Sequence, residues 1–395
     1  MSERLTNISL FTGAGGLDVG LEQAGFETRV CVEYDRSCLN TLEANRPRFR
    51  DPSITFREDI TKVPPSKILE DSGFGREEVT LVSGGPPCQS YSTAGKRGAI
   101  GDPRGSLFVQ YMDVIDYVRP RFFIMENVRG LLSAAIKHRP LHLREDQDRP
   151  IEPDEELGSV LNRVILPAFE EELGYKVSFG LLNALDYGAA QDRRRLIIIG
   201  SRDDELGSGP ERHPIDALVP PTHSRDGSGG MVKWKTLKEG LADLDDPQPE
   251  YQRYSDARAE VFAKIPSGGN WRDLRPYGDD YVKEVLGGAY YATGGRVGFW
   301  RRLSWDKWAP TLTTSPTQKS TGLCHPDEDR PLSVKEYAVL QGFPNSWEFA
   351  GSMAAKYRQI GNAVHVEVAR ALGVALTRLL GVSGEQPVPV DLLAR

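Results

Sequence analysis

The sequence predicts an α/β protein in which a doubly wound, mostly parallel sheet is joined to a smaller irregular domain. Over roughly the first 200 residues, short β-type runs alternate with segments whose apolar residues recur at helical spacing. From about Asp203 to Ser320 this alternation gives way to Gly, Pro, Trp and Tyr without clear periodicity. A chain of 395 residues with 39% hydrophobic content is long enough for two lobes and a substantial core.

The predicted strands and helices follow one another as repeated units. A β-type run at Ile8 to Phe11 breaks into TGAGG, and the helical pattern LDVGLEQAG follows. The next run, TRVCVEY, carries Glu33 near its end, and the helix SCLNTLEANRP after it stops at proline. Further strands are predicted at VTLVSGG, RFFIMEN, KVSFGLLNA and RRLIIIGS, and a further helix at SVLNRVILPAFEEELG.

These patterns divide the chain into three segments. Residues 1–202 are expected to form the sheet domain, with a charged, proline-bearing loop inserted at 138–156. Residues 203–325 are expected to form the second domain and a hinge. Residues 326–395 return to the sheet domain through the helical patterns PLSVKEYAVLQGF and GNAVHVEVARALGVALTRLLG, the latter a long amphipathic helix.

The composition argues against several classes of protein. The four cysteines form no CxxC pair and the six histidines show no zinc-binding spacing, so neither a disulfide framework nor a metal site is expected. No run approaches the roughly 18 apolar residues of a membrane span, and we expect a soluble, cytoplasmic protein.

Charge is distributed unevenly along the chain. The formal net charge of −7 argues against a protein that coats nucleic acid through bulk positive charge. Residues 251–310 depart from this average, with ten Lys or Arg against seven Asp or Glu and twelve interleaved aromatic residues. Such a mixture fits a nucleic-acid surface, and it fits equally an irregular subdomain whose aromatic residues form a small core of their own.

A glycine-rich turn after the first strand indicates a cofactor site. Gly13, Gly15 and Gly16 let the backbone approach a ligand at a helix N-terminus, and Glu33 at the second strand's end is placed to bind ribose hydroxyls. Asp18 stands where a full dinucleotide fingerprint requires glycine, so an adenosyl cofactor without a pyrophosphate fits better than NAD. Asp59 could accept a hydrogen bond from adenine, or could serve only as a turn residue.

The stretch SGGPPCQSYS holds Cys88 behind two prolines and two glycines. Proline fixes φ and glycine permits unusual backbone conformations, so the segment presents the thiol in one geometry. We interpret this stiffness as a sign of a reactive cysteine, although a strand-to-loop turn with a buried cysteine has the same local pattern.

Two further candidates lie at predicted strand ends. Glu126 follows the apolar run FFIM, where partial burial would raise its pKa and let it share a proton. Arg193 and Arg195 alternate in QDRRRLIIIG and face the same side if the strand begins there. A buried, hydrogen-bonded carboxylate and a solvated strand edge are the alternatives.

Together these residues resemble one family. The motifs that follow occur in the order and approximate spacing of DNA cytosine-C5 methyltransferases: LFTGAGG, GGPPCQSYS, ENV, QDRRR, RPLSVKEYAVLQGFP and YRQIGNAV. The resemblance spans nearly the whole chain and implies a Rossmann-like, S-adenosylmethionine-dependent fold with a target-recognition domain at 203–325. Tyr91 replaces the commoner phenylalanine, and His365 replaces the usual proline after GNAV.

The resemblance also implies the reaction and the residues that perform it. Cys88 adds to carbon 6 of a flipped-out cytosine, Glu126 bonds the N3 and amino edge, and Arg195 reaches the O2 edge. Arg193 and Arg195 would supply positive potential for the thiolate. The cofactor residues are expected to be Phe11, Gly13, Gly15, Gly16, Leu17, Glu33, Asp59, Leu107 and Asn362. GKRGAIGDPRGSLF, with glycines at 95, 98, 101 and 105, resembles a lid over the flipped base.

The expected partner is double-stranded DNA carrying one short target sequence. We expect a monomeric bacterial enzyme that releases S-adenosylhomocysteine, needs no metal and protects DNA from a separately encoded restriction endonuclease. Three alternatives remain open at this stage: a tRNA cytosine-C5 methyltransferase on the same scaffold, a catalytically silent DNA-binding regulator, and an NAD-dependent oxidoreductase.

Overall fold

A seven-stranded central sheet organises the computed structural model, which describes residues 4–87, 107–137, 139, 150–206, 213–291, 298–318 and 320–382. Its strands are β1 (Thr6–Leu10), β2 (Glu27–Val32), β3 (Thr55–Arg57), β4 (Leu81–Gly84), β5 (Phe122–Val128), β6 (Lys176–Asn183) and β8 (Arg194–Ser201). The short β7 (Gln191–Asp192) lies outside this sheet and pairs with a later two-residue strand. The sheet order is β3-β2-β1-β4-β5-β8-β6. Strands β1 to β5 pair in parallel, and β8 runs antiparallel to both of its neighbours. The predicted mostly parallel sheet is confirmed.

Helices cover both faces of the sheet and continue into the second half of the chain. They are α1 (Gly16–Gln23), α2 (Arg36–Ala44), α3 (Pro65–Ser72), α4 (Leu107–Val118), α5 (Ile215–Leu218), α6 (Leu237–Gly240), α7 (Asp256–Phe262), α8 (Asp279–Leu286), α9 (Val334–Leu340), α10 (Met353–Asn362) and α11 (Val366–Leu379). The predicted helix between β5 and β6 is present and contains π-helical turns at Leu161–Ile165 and Ala168–Glu172.

The strands alternate their side chains between two apolar cores. In β5, Phe123 and Met125 enter the core that includes α4, whereas Phe122 and Ile124 enter the core that includes α1 and α11. This period of two is the geometry of a strand buried on both faces. Helices α1 and α11 pack so closely at Gly20 that a Cβ there would lie 2.4 Å from the Val366 carbonyl oxygen. The doubly wound arrangement therefore follows from strands that are apolar on both sides.

The region after β8 lacks the β/α rhythm, as the sequence predicts. Its strands are pairs of residues only: β9 (His223–Ser224), β10 (Val232–Lys233), β11 (Arg301–Arg302), β12 (Ala309–Pro310) and β13 (Leu323–Cys324). A separate apolar cluster, the second-lobe core, contains Val261, Phe262, Ile265, Trp271, Leu274, Val282, Leu286, Trp300 and Cys324. Many of the aromatic residues in this stretch thus form a small core of their own.

The C-terminal helical pattern is divided where the sequence predicts one continuous helix. Helix α10 ends at Asn362, Ala363 is extended, and α11 begins at Val366. The His365 Nδ1 accepts the Glu367 backbone N–H at 3.2 Å and so caps α11. Burial lowers the pKa of His365 to about 3, which keeps the ring neutral and its Nδ1 free to accept. The break turns the carbonyls of Gly361 and Ala363 toward the sheet, where they accept hydrogen bonds from buried side chains.

Candidate active site

A cleft of about 780 Å³ opens where β1, β2, β4 and β5 end at their carboxyl termini. This is the edge at which parallel α/β sheets place their ligands. Seven of the nine residues predicted to bind cofactor line it: Phe11, Gly13, Leu17, Glu33, Asp59, Leu107 and Asn362. Glu126, one of the four predicted catalytic residues, lines the same cleft.

The turn after β1 fixes the Glu33 carboxylate by backbone donors. Phe11 and Gly13 both have positive φ, 54° and 58°, which turns the chain sharply at the strand's end. The Gly13 N–H then donates to Glu33 Oε2 at 2.7 Å, and the Asp35 N–H donates to Oε1 at 2.7 Å. Burial raises the pKa of Glu33 and these two N–H groups oppose that rise. The carboxylate is held in one orientation at the rim of the cleft.

Gly15 and Gly16 lie outside the residues that line the cleft, and both meet a packing requirement. A Cβ on Gly16 would lie 2.4 Å from the Val364 carbonyl oxygen, and one on Gly15 would lie 3.2 Å from the Trp347 ring. Gly15 also has a φ of 85° at the N-cap of α1. These glycines let the start of α1 approach the C-terminal segment.

Asp59 faces the cleft and also stabilises its own turn. Its Oδ1 accepts the Thr61 N–H at 3.0 Å and the Thr61 hydroxyl at 2.7 Å. These bonds and the nearby Lys62 lower the pKa of Asp59. Both interpretations of this residue made from the sequence are compatible with its position.

Sequence reasoning missed two further residues that line the cleft. Tyr34 follows Glu33 directly, lines the cleft and is 79% exposed, and Ile60 lines the cleft next to Asp59. An aromatic residue directly after a strand-end acid was a signal available in the sequence. The cleft therefore offers aromatic and apolar surface next to its carboxylates.

Glu126 and Arg195 form an ion pair at the end of the sheet. Arg195 Nε lies 2.9 Å from Glu126 Oε1, and both side chains are largely buried. Burial raises the pKa of Glu126, as the sequence predicts, while Arg195 and then Arg193 act in the opposite direction. The pair arises because β5 and β8 are adjacent antiparallel strands, with Val128 opposite Arg195.

The backbone that leads toward Cys88 runs beside this pair. The Asn127 side-chain amide donates to the Pro86 carbonyl at 3.0 Å, and a Cβ on Gly85 would lie 3.2 Å from Glu126 Oε2. Asn127 is a further functional candidate, marked in the sequence only by its place in ENV. Cys88 itself and the glycines at 95, 98, 101 and 105 of the expected lid fall outside the described residues.

Arg193 does not share the direct contact that Arg195 makes with Glu126. Its buried guanidinium donates to the carbonyls of Leu312 at 3.1 Å, Gly361 at 2.8 Å and Ala363 at 2.8 Å. Burial lowers the pKa of Arg193 to about 9, which leaves it positively charged at neutral pH. Its charge reaches Glu126 through space, and its hydrogen bonds tie the sheet to two distant segments.

Asn362 is held at the cleft by its neighbours on α10. The side chain of Gln359, three residues earlier, accepts from the Thr41 hydroxyl at 2.6 Å and donates to the Ala350 carbonyl at 2.8 Å. Arg358 adds an ion pair of 2.7 Å to Asp35, the N-cap of α2. Helix α10 is thereby fixed against α2 beside the cofactor cleft.

Within the residues that the structure describes, no cluster of three or more His, Cys, Asp or Glu side chains could hold a metal ion. The same part of the chain contains no helix long and apolar enough to cross a membrane.

The chain belongs to the C-5 cytosine-specific DNA methylase family, whose pattern matches residues 5–378. It is 39% identical to the Type II methyltransferase M.Sau96I of Staphylococcus aureus over 94% of this chain and 75% of that protein. It is 37% identical to the Type II methyltransferase M.Eco47II of Escherichia coli over 95% of this chain and 79% of that protein. The predicted family and the prediction of an enzyme are confirmed.

Solved structures show the same fold. A putative DNA modification methyltransferase encoded within an E. coli prophage superposes with a TM-score of 0.61 at 24% identity, covering 95% of this chain and 99% of that one. S. pombe Dnmt2 methyltransferase superposes with a TM-score of 0.56 at 15% identity, covering 96% and 99%. The fold of this chain is therefore shared with these solved structures.

Proposed function

We propose that this protein methylates carbon 5 of a flipped-out cytosine within one short sequence of duplex DNA, with Cys88 as the nucleophile. The observation that carries the proposal is the Glu126–Arg195 pair, 2.9 Å apart, whose carboxylate lines the same cleft as Glu33. Asn127 fixes the Pro86 carbonyl two residues before Cys88, beside that pair. The membership of the family supports the choice of cytosine and DNA.

The cleft fits S-adenosylmethionine by its shape and its donor set. Glu33 is oriented by two N–H groups and retains acceptor capacity for ribose hydroxyls. Phe11 and the exposed Tyr34 offer ring faces for adenine, and Asp59 can accept from the adenine amino group. S-adenosylmethionine supplies an electrophilic methyl group when bound and leaves as S-adenosylhomocysteine. The reaction as proposed needs no metal.

The protein's own groups make carbon 5 reactive. The Cys88 thiolate adds to carbon 6 of cytosine, and the electron pair of the 5,6 double bond becomes available at carbon 5. Glu126 bonds the N3 and amino edge and stabilises the charge that develops there, while Arg195 reaches the O2 edge. Carbon 5 would form its bond to the methyl carbon as the methyl–sulfur bond of the donor breaks, after which loss of the carbon 5 proton to a base and expulsion of the Cys88 thiolate restore the 5,6 double bond.

Arg195 and Arg193 have different roles in this proposal. Arg195 touches Glu126 and faces the substrate edge, whereas Arg193 contributes positive potential from behind and fixes the segments that frame the cleft. An unperturbed thiol is only partly ionised at neutral pH, so nearby positive charge favours the Cys88 thiolate.

The remaining steps concern the DNA. Carbon 5 is inaccessible within a base stack, so the base must leave the duplex at a cost of a few kcal/mol. We assign sequence reading to the recognition domain at 203–325 and catalysis to the segments 1–202 and 326–395. A monomer in the bacterial cytoplasm that protects DNA against a separately encoded endonuclease fits the Type II names of the relatives.

Transfer of labelled methyl groups to purified nucleic acids tests the proposal. We expect label in duplex DNA, recovered as 5-methylcytosine after hydrolysis, and none in tRNA. Label in tRNA alone would establish the alternative substrate on the same scaffold. DNA binding without label in either would indicate the silent regulator.

Thermal shifts with S-adenosylhomocysteine and NAD test the cofactor separately. We expect a rise in melting temperature with S-adenosylhomocysteine only, weakened by Glu33→Gln and unchanged by the exposed control Glu70→Gln. A shift with NAD instead would favour the oxidoreductase.

A further inference from the structure

A guanidinium in the second lobe is enclosed by aromatic rings. Arg258 lies on α7, and its guanidinium carbon is 4.7 Å from the ring centre of Tyr254, 5.2 Å from that of Trp300 and 5.6 Å from that of Phe262. Phe262 and Trp300 belong to the second-lobe core. Burial lowers the pKa of Arg258, and the facing rings stabilise its charge. The side chain is therefore held rigidly by the lobe that we assign to sequence reading.

This guanidinium donates outward to the backbone of one loop. Arg258 Nη1 lies 2.6 Å from the Thr317 carbonyl oxygen and Nη2 lies 3.4 Å from that of Gln318. The loop also passes close to Gly322, where a Cβ would lie 2.6 Å from the carbonyl oxygens of Pro316 and Gln318. Residues 313–318, hereafter the junction loop, are thus fixed at their far end by the second lobe.

The near end of the junction loop is fixed by the catalytic sheet. Arg193 donates to the Leu312 carbonyl at 3.1 Å, and the Tyr337 hydroxyl donates to the Thr313 carbonyl at 3.0 Å. A Cβ on Gly361 would lie 2.6 Å from the Thr313 carbonyl oxygen, so the loop rests against the residue that precedes Asn362. One loop therefore contacts α10, the helix that carries the cleft residue Asn362, at one end and the recognition lobe at the other.

We propose that Arg258 is a positioning residue that sets the junction loop for DNA and so determines how strictly the enzyme selects its sequence. This inference rests on the proposed function. The loop carries hydroxyl and amide side chains, with Thr314 and Gln318 exposed, which are groups that contact phosphates and base edges. Arg258 holds their backbone in place while its own charge stays among the rings.

The fork of the guanidinium is central to this role. Arginine presents donors in a planar fork that can serve two acceptors, whereas lysine carries one compact ammonium group. Arg258→Lys keeps the charge among the rings but gives up the fork across Thr317 and Gln318. This substitution therefore separates a positioning role of Arg258 from a general electrostatic attraction of its charge for DNA.

The test measures steady-state kinetics of the full chain on an unmethylated duplex that carries the target motif. The same kinetics are measured on duplexes in which one base of that motif is changed. Arg258→Lys and Arg258→Met should raise KM for the motif duplex by about tenfold or more, the scale of losing a hydrogen bond from a charged donor. Both variants should also lower the selectivity of the enzyme, which is kcat/KM for the motif duplex divided by kcat/KM for a changed duplex. Affinity for S-adenosylhomocysteine should stay at the wild-type value.

Matched variants separate positioning from stability. Arg272→Met is the control, because that arginine also lies over an aromatic ring, that of Trp271, and is exposed. Gly322→Ala leaves Arg258 in the chain but crowds both the same loop and Arg258 Nη2, which would lie 2.9 Å from the added Cβ, and it should reproduce the loss of selectivity. Gly288→Ala is its control, since a Cβ there would meet nothing within 4 Å.

The outcomes distinguish this inference from the proposed function. If the wild type methylates no DNA, the proposed function is wrong and this inference falls with it. If the wild type methylates DNA and the Arg258 and Gly322 variants match their controls, only this inference is wrong. A wild-type KM and wild-type selectivity in Arg258→Lys would also overturn this inference, because the positive charge alone would then be enough to position the loop.

Discussion

Arg195 Nε and Glu126 Oε1 lie 2.9 Å apart across the antiparallel strands β8 and β5. Burial of Glu126 raises its pKa, and the arginine opposes that rise. The carboxyl is therefore poised between two opposing effects at the edge of the sheet where the substrate is expected. Measuring the charge state of Glu126 as a function of pH therefore tests the electrostatics of the site.

Replacing Arg195 with alanine should shift the pH dependence of methyl transfer. Loss of the positive partner raises the pKa of Glu126 further, because burial then acts with less opposition. The apparent pKa assigned to this group in kcat/KM profiles should move to higher pH. The exposed Arg194, which pairs with Asp192, provides the control as Arg194→Ala and should leave the profile unchanged.

Cys88→Ser should abolish methyl transfer and leave binding of S-adenosylhomocysteine nearly intact, because a hydroxyl is far less ionised than a thiol at neutral pH. DNA carrying 5-fluorocytosine at the target should trap a covalent adduct with the wild type, since fluorine cannot leave as a proton does. Peptide mapping should place the adduct at Cys88. Cys324→Ser, at a buried thiol of the second-lobe core, should still form it, and an adduct at any other residue would overturn the assignment.

Buried Asp18 should make the free energy of unfolding depend on pH. Burial raises the pKa of Asp18 to about 7, and its Oδ2 has no hydrogen-bond partner. The folded state then binds this proton more tightly than the unfolded state, so stability falls as pH rises from about 4 to about 7, by about 1.4 kcal/mol for each unit of the pKa shift.

Asp18→Asn removes this contribution, so the melting temperature of the variant relative to wild type should be higher at pH 8 than at pH 5. Melting curves at the two pH values check the change, with the exposed Asp280→Asn as control. A difference between variant and wild type that is the same at both pH values would contradict the assignment.

The sequence predicted those features of the site that depend on short stretches of chain. Glu33 and Glu126 each follow an apolar run, and the parallel sheet brings such strand ends to one edge. The partners of Arg193 were not predictable, since its carbonyl acceptors at Leu312, Gly361 and Ala363 lie more than 100 residues away. Only the packed fold brings them together.

Two features of the C-terminal contact with α1 were not predictable from local patterns, and the prediction of one continuous C-terminal helix was wrong. Apolar spacing runs through GNAVHVEV, yet the helix breaks there, because Ala363 is extended and His365 caps the next helix. Gly15 and Gly16 have the composition of a ligand turn, and in addition a side chain on Gly16 would collide with the Val364 carbonyl. Both features depend on the C-terminal segment packing against α1, which no local pattern reveals.

Exchanging residues 245–300 for the matching region of a relative should transfer the methylated motif without altering the chemistry. This stretch contains nearly all of the second-lobe core, while Glu126, Arg195 and Glu33 lie elsewhere. Sequencing of DNA methylated by the hybrid checks the result. A folded, active hybrid that keeps the original motif would show that sequence reading is placed wrongly.

Methylation-sensitive sequencing of DNA from cells that express this chain tests the central proposal most directly. We expect 5-methylcytosine at a single short motif of a few base pairs, because each wrong base costs roughly 1 to 3 kcal/mol of binding. The Cys88→Ser variant, expressed alongside, should leave the same sites unmodified. Absence of 5-methylcytosine with the folded wild type, or its persistence with Cys88→Ser, would contradict the proposed reaction.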